Sequence, residues 1–430
     1  MATVGPFEVN PTIAVAVSGG PDSLCLALLL KTWLMDREGE VIALIVDHQL
    51  RPESASEAKA VRSWLQNHGI SSHILVWQNQ AERSKQQAKA RTGRYDLLFG
   101  WCRSAHVLHL ALGHHRDDQA ETVFFREKRS SGDDGLAGIP AVREQDSVRV
   151  IRPLLVIPSS RLRSTLRVRG QDWISDPSNH NPAYARTRIR KLLQSSSSKD
   201  RAIDLAKSAA RFARVRARHE RSASGLLARS ATVFSEGFCV VNVRSLISEP
   251  FGLSLRAISQ ILFSVGGKNY APRQKSLRRL TCSLRDGWLP TGYTLGGCLL
   301  RTTGDSLVVC REPIAAGERF IIKAGEKKLW DGRFMVEFLA KRTGGVAEYE
   351  VRALSEVGWQ IYRNSDAYKK NLDIPFYAAY TLPSFWSIDR LVSVPHLQYI
   401  GPALSDSREE HFCAVYKPKR PLVGPVFQGI

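Results

Sequence analysis

The sequence predicts an α/β fold, with an N-terminal parallel sheet covered by helices on both faces and two smaller α+β domains after it. Short apolar, β-branched runs before residue 112 alternate with stretches of helical periodicity. Helices that separate such strands are typical of the crossovers that join parallel strands. At about 100–200 residues per domain, the 430 residues also require more than one domain.

The elements of the first domain follow in order along the chain. The predicted strands are at residues 13–17, 41–46, 73–77 and 107–111, and the predicted helices are at 22–34, 53–68 and 81–104. Continuous apolar strands of this kind are buried on both faces in a parallel sheet. Polar residues follow three of the strands, at 18–23, 47–51 and 113–118. We expect these three segments to converge at the carboxyl edge of the sheet, where such folds bind ligands.

Shifts in composition predict four segments. We place the sheet domain at residues 1–200, a basic helical linker at 201–231, and two C-terminal domains at 232–312 and 318–430. The linker belongs to a basic helix predicted over 199–221, in which Leu205, Ala209 and Ala213 lie on an apolar stripe. Pro and Gly residues at 313–317 mark the connection between the last two domains.

The charge is unevenly distributed along the chain. Lys and Arg number 61 against 41 Asp and Glu, for a formal net charge of +20. The net charge is 0 over residues 1–120, +12 over 121–230 and +8 over 231–430. A neutral first part followed by an arginine-rich middle predicts a small ligand for the first and a polyanion, RNA above all, for the rest. A solvated basic face is the plainer interpretation of one charge run.

Cysteine usage and hydropathy narrow the class of protein. The seven cysteines are scattered and include no C-x-x-C pair, so we expect reduced thiols and neither a zinc ribbon nor an iron–sulfur cluster. No apolar stretch approaches the roughly 20 residues that span a bilayer, and the first ten residues have no secretory signal pattern. We therefore expect a cytoplasmic protein that does not contact the membrane.

The first chemical motif lies between the first strand and the first helix. Glycines in such a loop let backbone N–H groups approach an anion, and the helix N-terminus adds a positive dipole. No Gly-Lys-Ser/Thr follows, so the loop is not a Walker A motif, although an ordinary strand-to-helix turn would also fit. The residues of this loop are Ser18, Gly19, Gly20, Pro21, Asp22 and Ser23. Their sequence resembles the S-G-G-x-D-S signature of the PP-loop (N-type) ATP pyrophosphatases.

The second motif begins where the fourth strand ends. Asp117, Asp118 and Glu121 follow His114 and His115, and their spacing places the carboxylates on one face of a helix. Capping of the helix is the simpler explanation for a pair of acids there. Two histidines and three acids beside a phosphate loop also fit Mg2+ on ATP or a bound cationic amine, whereas a zinc site is the weaker alternative.

Seven motifs together resemble, in the same order, those of the tRNA(Ile)-lysidine synthetase family of PP-loop enzymes. One such motif is weak evidence, but seven in order are specific. The motifs cover residues 18–23, 46–51, 90–95, 113–122, 135–139, 152–155 and 176–190. The rest of the chain matches this family mainly in its length and in having two smaller C-terminal domains.

The resemblance implies a two-step ligation. ATP would adenylate C2–O of the wobble cytidine of a tRNA(Ile) with a CAU anticodon, releasing pyrophosphate. The ε-amino group of L-lysine would then displace AMP and form lysidine, so that the tRNA reads AUA in place of AUG. ATP, Mg2+, L-lysine and this tRNA are the implied cofactors and partners, and pairing of two copies through the helical middle is a further hypothesis.

The resemblance also implies roles for individual residues. The loop from Ser18 to Ser23 would bind the ATP phosphates, with Asp47 and Gly113 near the nucleoside. Asp118 and Glu121 would bind lysine. Asp22 and Asp117 would hold Mg2+. His114 or His115 would transfer protons, and Arg91 and Arg94 would stabilise charge on phosphate. The residues expected to bind tRNA are Arg186, Arg188, Arg190, Arg211 and Arg214.

Two other classes of protein compete with this interpretation. A PP-loop tRNA thiolase uses the same adenylation but needs a cluster-binding cysteine pair or a reactive cysteine by the loop. Cys25 is the nearest cysteine, and its leucine-rich helix predicts a core position. A non-catalytic RNA-binding protein would have no physical reason to keep Asp22, Asp118 and Glu121 together.

Overall fold

The computed structural model describes residues 1–49, 52–77, 86–145, 147–175, 185–194, 199–268, 270–340, 348–368, 373–402 and 410–429. Of residues 86–91, 185, 186, 194 and 199 it describes the backbone only. The chain forms two compact units, Met1–Glu220 with Pro425–Ile430, and Arg221–Gly424. The four segments predicted from composition stay predictions.

The first unit contains a six-stranded sheet in the order β3-β2-β1-β4-β6-β5. Its strands are β1 (Thr12–Val17), β2 (Glu40–Asp47), β3 (Ser71–Val76), β4 (His109–Ala111), β5 (Val142–Gln145) and β6 (Val148–Ile151). All neighbouring pairs are parallel except β5 with β6. The four predicted strands are therefore present, and the sheet has two more that the sequence analysis did not predict.

Eight helices of the described chain accompany this sheet or follow it. They are α1 (Pro21–Met35), α2 (Ser54–Asn67), α3 (Gln86–Ser104), α4 (Arg116–Glu127), α5 (Asp133–Leu136), α6 (Ser159–Val168), α7 (Ala185–Gln194) and α8 (Lys199–Ser230). The helix predicted over 199–221 thus extends nine residues further, to Ser230. Leu205, Ala209 and Ala213 are buried as predicted.

Each face of the sheet has its own apolar core. Successive side chains of a strand point to opposite faces. Val15 lies in a core with residues of α1, α2 and α6, whereas Ala14 lies in a second core with Leu98 and Phe99 of α3. The prediction of a parallel sheet covered by helices on both faces is confirmed.

The second unit is built from antiparallel sheets and short helices. One sheet has the order β7-β8-β11-β10-β9, a second the order β12-β15-β16-β17-β18, and a third the order β13-β14-β19. The predicted α+β character of this region is confirmed. The strands are β7 (Ala231–Val233), β8 (Cys239–Asn242), β9 (Tyr293–Leu295), β10 (Cys298–Thr303), β11 (Ser306–Arg311), β12 (Phe320–Lys323), β13 (Lys327–Trp330), β14 (Phe334–Ala340), β15 (Glu348–Ala353), β16 (Pro383–Ser387), β17 (Arg390–Val394), β18 (Tyr399–Ile400) and β19 (Glu410–Tyr416). The helices are α9 (Val243–Ile247), α10 (Phe251–Gly266), α11 (Gln274–Arg285), α12 (Ser355–Arg363) and α13 (Phe376–Ala379).

Two arginines of the second unit share one buried aspartate. Asp331 accepts hydrogen bonds from Arg311 Nε at 2.9 Å and Nη2 at 2.7 Å, and from Arg333 Nε at 2.8 Å. The other guanidinium nitrogens donate to backbone carbonyls, among them those of Gly297 and Thr381. Because all three side chains are at most 6% exposed, water does not compete for these bonds. This cluster joins β11 to the segment between β13 and β14.

Candidate active site

The glycine loop between β1 and α1 is held in one conformation by local contacts. Gly19 has a φ of +79°, which favours glycine, and a Cβ there would lie 2.8 Å from side-chain atoms of Val61 and Ile174. Ser23 Oγ accepts a hydrogen bond from the Ser18 N–H and donates one to the Gly20 carbonyl, both at 3.1 Å. The loop is therefore organised before any ligand binds, and it leads directly into the N-terminus of α1.

Asp22 lies in the first turn of α1 and has one unused carboxylate oxygen. Its Oδ2 is 3.5 Å from Nε2 of His115. Its Oδ1 is buried and has no hydrogen-bond partner among the residues that the structure describes. A buried acceptor without a donor costs free energy, about 1–3 kcal/mol or more for a charged group. Asp22 Oδ1 is thus an atom that a ligand cation or donor would satisfy.

Gly113 brings the two sequence motifs together. It follows β4, and a Cβ at this position would come within 3.1 Å of backbone atoms of Asp22 and Ser23. A side chain at this position would be crowded, so glycine favours this close approach between the end of β4 and the start of α1. The structure therefore confirms that these two strand ends converge.

His115 is the N-cap of α4 and lies between two carboxylates. Its ring atom Nδ1 accepts a hydrogen bond from the backbone N–H of Asp117 at 3.2 Å. The backbone N–H of His115 donates to Asp118 Oδ2 at 3.0 Å. In the neutral ring the proton then lies on Nε2, which is 3.5 Å from both Asp22 Oδ2 and Asp118 Oδ2. Burial alone would lower the pKa of His115, but the bond to Asp22 and the charges of Asp118, Asp22 and Asp117 outweigh it and raise the pKa above its ordinary value.

Glu121 and Asp118, the two residues predicted to bind lysine, contact an arginine of the same unit. Arg190 Nε lies 2.6 Å from Glu121 Oε1, and its Nη2 lies 3.3 Å from Glu121 Oε2 and 3.7 Å from Asp118 Oδ1. Glu121 is 5% exposed, whereas Arg190 is 35% exposed. Burial raises the pKa of Glu121 above its ordinary value, and Arg190 opposes that shift. The predicted lysine site is therefore a carboxylate pair that holds a cation.

Asp117 points away from this pair. Its Oδ2 accepts hydrogen bonds from the N–H and the hydroxyl of Ser159, at 3.2 and 2.6 Å, and so caps the start of α6. Among the residues that the structure describes, no group of three His, Cys, Asp or Glu side chains is arranged to hold a metal ion. Of the two carboxylates predicted to hold Mg2+, the one with a free buried oxygen is Asp22.

Comparisons with known proteins agree with this geometry. A family model described as a PP-loop domain matches residues 3–196. The tRNA(Ile)-lysidine synthase of Orientia tsutsugamushi is 30% identical, and the match covers 97% of this chain and 96% of that protein. The same enzyme of Ruegeria pomeroyi is 34% identical, with 90% of each chain covered. This chain belongs to the tRNA(Ile)-lysidine synthase family.

Membership of the tRNA(Ile)-lysidine synthase family makes the chain a tRNA-modifying ligase with an ATP-binding PP-loop domain. A further relative, from Hyphomonas neptunium, is 36% identical over 71% of this chain and 82% of that protein. A solved structure, the U34-tRNA thiolase NcsA from Methanococcus maripaludis with its 4Fe–4S cluster, is 20% identical with a TM-score of 0.42, covering 49% of this chain and 76% of that one. This last likeness is too weak to support a shared function.

The other residues that the family resemblance singled out lie in several places. Asp47 is buried, and its Oδ1 accepts hydrogen bonds from the Gln49 N–H at 2.9 Å and the Ser54 hydroxyl at 2.7 Å, so it shapes the end of β2. Arg94 is half-buried on α3 and lies over the Tyr95 ring. His114 is half-buried beside His115. The side chain of Arg91 lies outside the described residues.

The residues predicted to bind tRNA divide into two groups. Arg188 on α7 and both Arg211 and Arg214 on α8 are exposed. Arg190 instead faces Glu121 and Asp118. The motif at 176–179 and the side chain of Arg186 lie outside the described residues. Sequence reasoning gave no role to Ser159 and did not pair Arg190 with Glu121, because both contacts join residues far apart in the chain.

Cys25, the cysteine nearest the loop, is part of the core. It is fully buried among the leucines of α1, as predicted. Burial raises its pKa to about 11, so almost no thiolate forms at neutral pH. This cysteine therefore gives no support to sulfur transfer.

Proposed function

We propose that this enzyme ligates L-lysine to C2 of the wobble cytidine of a CAU-anticodon tRNA(Ile), through an adenylated cytidine, with release of pyrophosphate and AMP. The product would read AUA in place of AUG. The observation that carries this proposal is the 3.5 Å approach of His115 Nε2 to both Asp22 and Asp118. His115 thereby lies between the glycine loop, which adenylation would need, and the carboxylate pair, which aminolysis would need.

The loop supports adenylation. In this step the C2 oxygen of cytidine bonds to the α-phosphorus of ATP, and pyrophosphate leaves. The backbone N–H groups of Gly19 and Gly20 and the N-terminus of α1 would bind the phosphates, because they place positive partial charge there. A bound Mg2+ would neutralise phosphate charge, and Asp22 Oδ1 is the described atom that fits such an ion. Arg91 and Arg94 remain proposed as phosphate ligands.

The carboxylate pair supports aminolysis. In this step the lysine ε-nitrogen bonds to C2, and the C2–O bond breaks to release AMP. Glu121 and Asp118 would hold the lysine ammonium next to the adenylated base, and the ammonium must lose a proton before it attacks. His115 lies between Asp118 and Asp22 and is proposed, with His114, as the group that moves this proton.

The basic segments support binding of the tRNA body. Phosphate contacts from Arg188, Arg211 and Arg214 would give an affinity that falls steeply with salt, because cations on the RNA are released. The residues of 318–430 are proposed to share in this binding. Among the helices that the structure describes, none is long and apolar enough to cross a membrane. We propose a cytoplasmic site of action, where tRNA, ATP and free lysine are present.

Incorporation of labelled lysine into unmodified CAU-anticodon tRNA(Ile) tests the proposal. We expect incorporation that requires ATP and Mg2+ and is lost when the wobble cytidine is replaced by uridine. Pyrophosphate release without lysine incorporation would keep the adenylation and overturn lysine as the nucleophile. Absence of both would overturn the proposed reaction.

A further inference from the structure

The carboxylate pair of the proposed lysine site already holds a cation in the absence of substrate. Arg190 contacts both oxygens of Glu121, through Nε at 2.6 Å and Nη2 at 3.3 Å, and Nη2 reaches Asp118 Oδ1 at 3.7 Å. A guanidinium that binds two carboxylate oxygens at once occupies the acceptor positions that an ammonium would otherwise use. Glu121 is 5% exposed, so with Arg190 in place a substrate cation has little access to its carboxylate.

We propose that Arg190 is a built-in competitor of L-lysine, which must displace its guanidinium from Glu121 and Asp118 in order to bind. The inference rests on the proposed function, in which these two carboxylates receive the lysine ammonium. It assigns Arg190 a role in the lysine site that the sequence did not suggest, since the arginines of α7 were expected to contact tRNA.

The exposures of the two partners decide which of them moves. Arg190 is 35% exposed, so its long side chain can turn outward into solvent while α7 stays in place. α7 itself is packed through Leu193 and Ile189 against Ala120 and Val123 of α4. Glu121 projects from α4 and is almost fully enclosed. Displacement therefore requires rotation of one arginine side chain and no rearrangement of either helix.

Charge balance explains why both cations do not bind together. Two like charges about 4 Å apart repel strongly in a partly buried site. His115 Nε2 also lies 3.5 Å from Asp118 Oδ2, so the space beside this carboxylate is already occupied on a second side. With Arg190 in place, a lysine ammonium would be a further cation for the same two carboxylates. In the observed position the charges of Glu121, Asp118 and Asp22 all raise the pKa of the Arg190 guanidinium.

The test compares Arg190→Gln with Lys191→Gln, an exposed neighbour on α7 that has no place in the proposed machinery. Steady-state KM for L-lysine is measured at saturating tRNA and ATP. We expect Arg190→Gln to lower this KM about five- to tenfold without changing the KM for ATP, and Lys191→Gln to leave both unchanged. Arg190→Lys, which restores a cation, should return the KM toward the wild-type value.

A purely structural ion pair predicts the opposite sign. Loss of such a pair would disorder Glu121 and raise the KM for lysine, so an unchanged or raised KM in Arg190→Gln overturns the inference. Inhibition by L-arginine gives a second measurement: with the site vacated, its inhibition constant against lysine should fall by a similar factor. If Arg190→Gln does not fold, Arg190→Lys decides the question by the direction of the same two constants, which should both be lowered slightly.

Failure of this inference can be told apart from failure of the proposed function. Glu121→Gln should raise the KM for lysine if Glu121 binds the substrate at all. If Glu121→Gln raises it and Arg190→Gln does not lower it, only the competition by Arg190 is wrong. If Glu121→Gln leaves the KM unchanged, the lysine site itself is wrong.

Discussion

Two charged clusters, one in each unit, use similar residues for opposite purposes. In the second unit Arg311 and Arg333 enclose Asp331, all at most 6% exposed, and Nε and both Nη atoms of each guanidinium donate hydrogen bonds. In the first unit, acids outnumber bases around His115. Asp22, Asp117 and Asp118 are 29%, 28% and 23% exposed there, and within the described part of the chain Asp22 Oδ1 has no hydrogen-bond partner.

The difference shows that hydrogen bonding distinguishes a charged cluster that stabilises the fold from one that can bind a ligand. A closed, buried cluster in which every guanidinium nitrogen donates a hydrogen bond holds the chain together and offers little to a ligand. A partly exposed cluster with an unused acceptor and excess negative charge is costly to the free protein and is relieved by a bound cation.

The largest expected effect is on stability and comes from the closed cluster. Asp331→Asn leaves two buried guanidinium groups without their anion, so we expect a loss of about 3–5 kcal/mol in the free energy of unfolding. The measurement is the urea-induced unfolding of the full chain. Asp305→Asn is the matched control, because its pair with Arg244 is 56% and 79% exposed, and a change above about 1 kcal/mol there would contradict the contrast.

The next effect is on catalysis and comes from the cluster of the first unit that contains Asp22, His115, Asp117, Asp118 and Glu121, which we call the open cluster. Asp22→Asn removes the charge that the proposed phosphate site needs, and we expect a loss of about 10²–10³-fold in the rate of tRNA-dependent pyrophosphate release. The thermal stability should change little, since Oδ1 has no partner among the described residues and Oδ2 makes only a long, 3.5 Å contact with His115 Nε2. Asp36→Asn, at the other end of α1 and exposed, should match the wild type. Near-normal release by Asp22→Asn would contradict a role in adenylation.

A smaller effect separates the two halves of the open cluster. Glu121→Gln replaces a carboxylate proposed to bind lysine with a neutral amide. We therefore expect the KM for lysine to rise about tenfold, which corresponds to roughly 1.4 kcal/mol of binding free energy, while the KM for ATP stays unchanged. Glu127→Gln, exposed at the end of the same helix, is the control. An equal rise in both constants would show that Glu121 supports the whole site and not lysine alone.

The pH dependence of stability tests the charges around His115. Its pKa is raised in the folded protein, so protonation favours folding. That contribution is complete below the ordinary histidine pKa of about 6.5 and is lost as the pH rises through the raised value. The melting temperature of His115→Asn should therefore fall further below the wild type at acidic than at alkaline pH. The exposed His219→Asn should show no such trend, and a pH-independent difference for His115→Asn would contradict the raised pKa.

The smallest effect concerns the thiols. Burial raises the pKa of Cys25 to about 11 and those of Cys102, Cys239, Cys298 and Cys310 to about 12. Cys282 and Cys413 are exposed. Iodoacetamide at mildly alkaline pH should label these two in the folded protein and leave the other five intact, as mass spectrometry would show. Rapid labelling of Cys25 would reopen the possibility of sulfur chemistry.

The sequence predicted those parts of the fold and site that depend on local pattern. β1, β2, α1 and α2 follow from unbroken apolar runs and helical periodicity, and the positive φ of Gly19 belongs to the local strand-to-helix turn. β5 and β6 were missed because each has four residues, and arginine or glutamate interrupts the apolar pattern.

Long-range contacts explain what was missed in the site. Asp117 meets Ser159 across 42 positions and Glu121 meets Arg190 across 69. Local periodicity carries no information about such pairs, because the fold of the intervening chain brings them together. The composition of α7 indicated a basic surface, and only the structure shows that one of its arginines faces inward onto Glu121.

We propose that the open cluster has two subsites, one for adenylation and one for aminolysis. Single-turnover reactions with ATP and CAU-anticodon tRNA(Ile) separate the two steps, with pyrophosphate and tRNA-linked lysine measured in the same samples. We expect Glu121→Gln to release pyrophosphate at the wild-type rate but to form lysidine slowly, and Asp22→Asn to form neither product. Equal loss of both products in Glu121→Gln would contradict the separation of the two subsites.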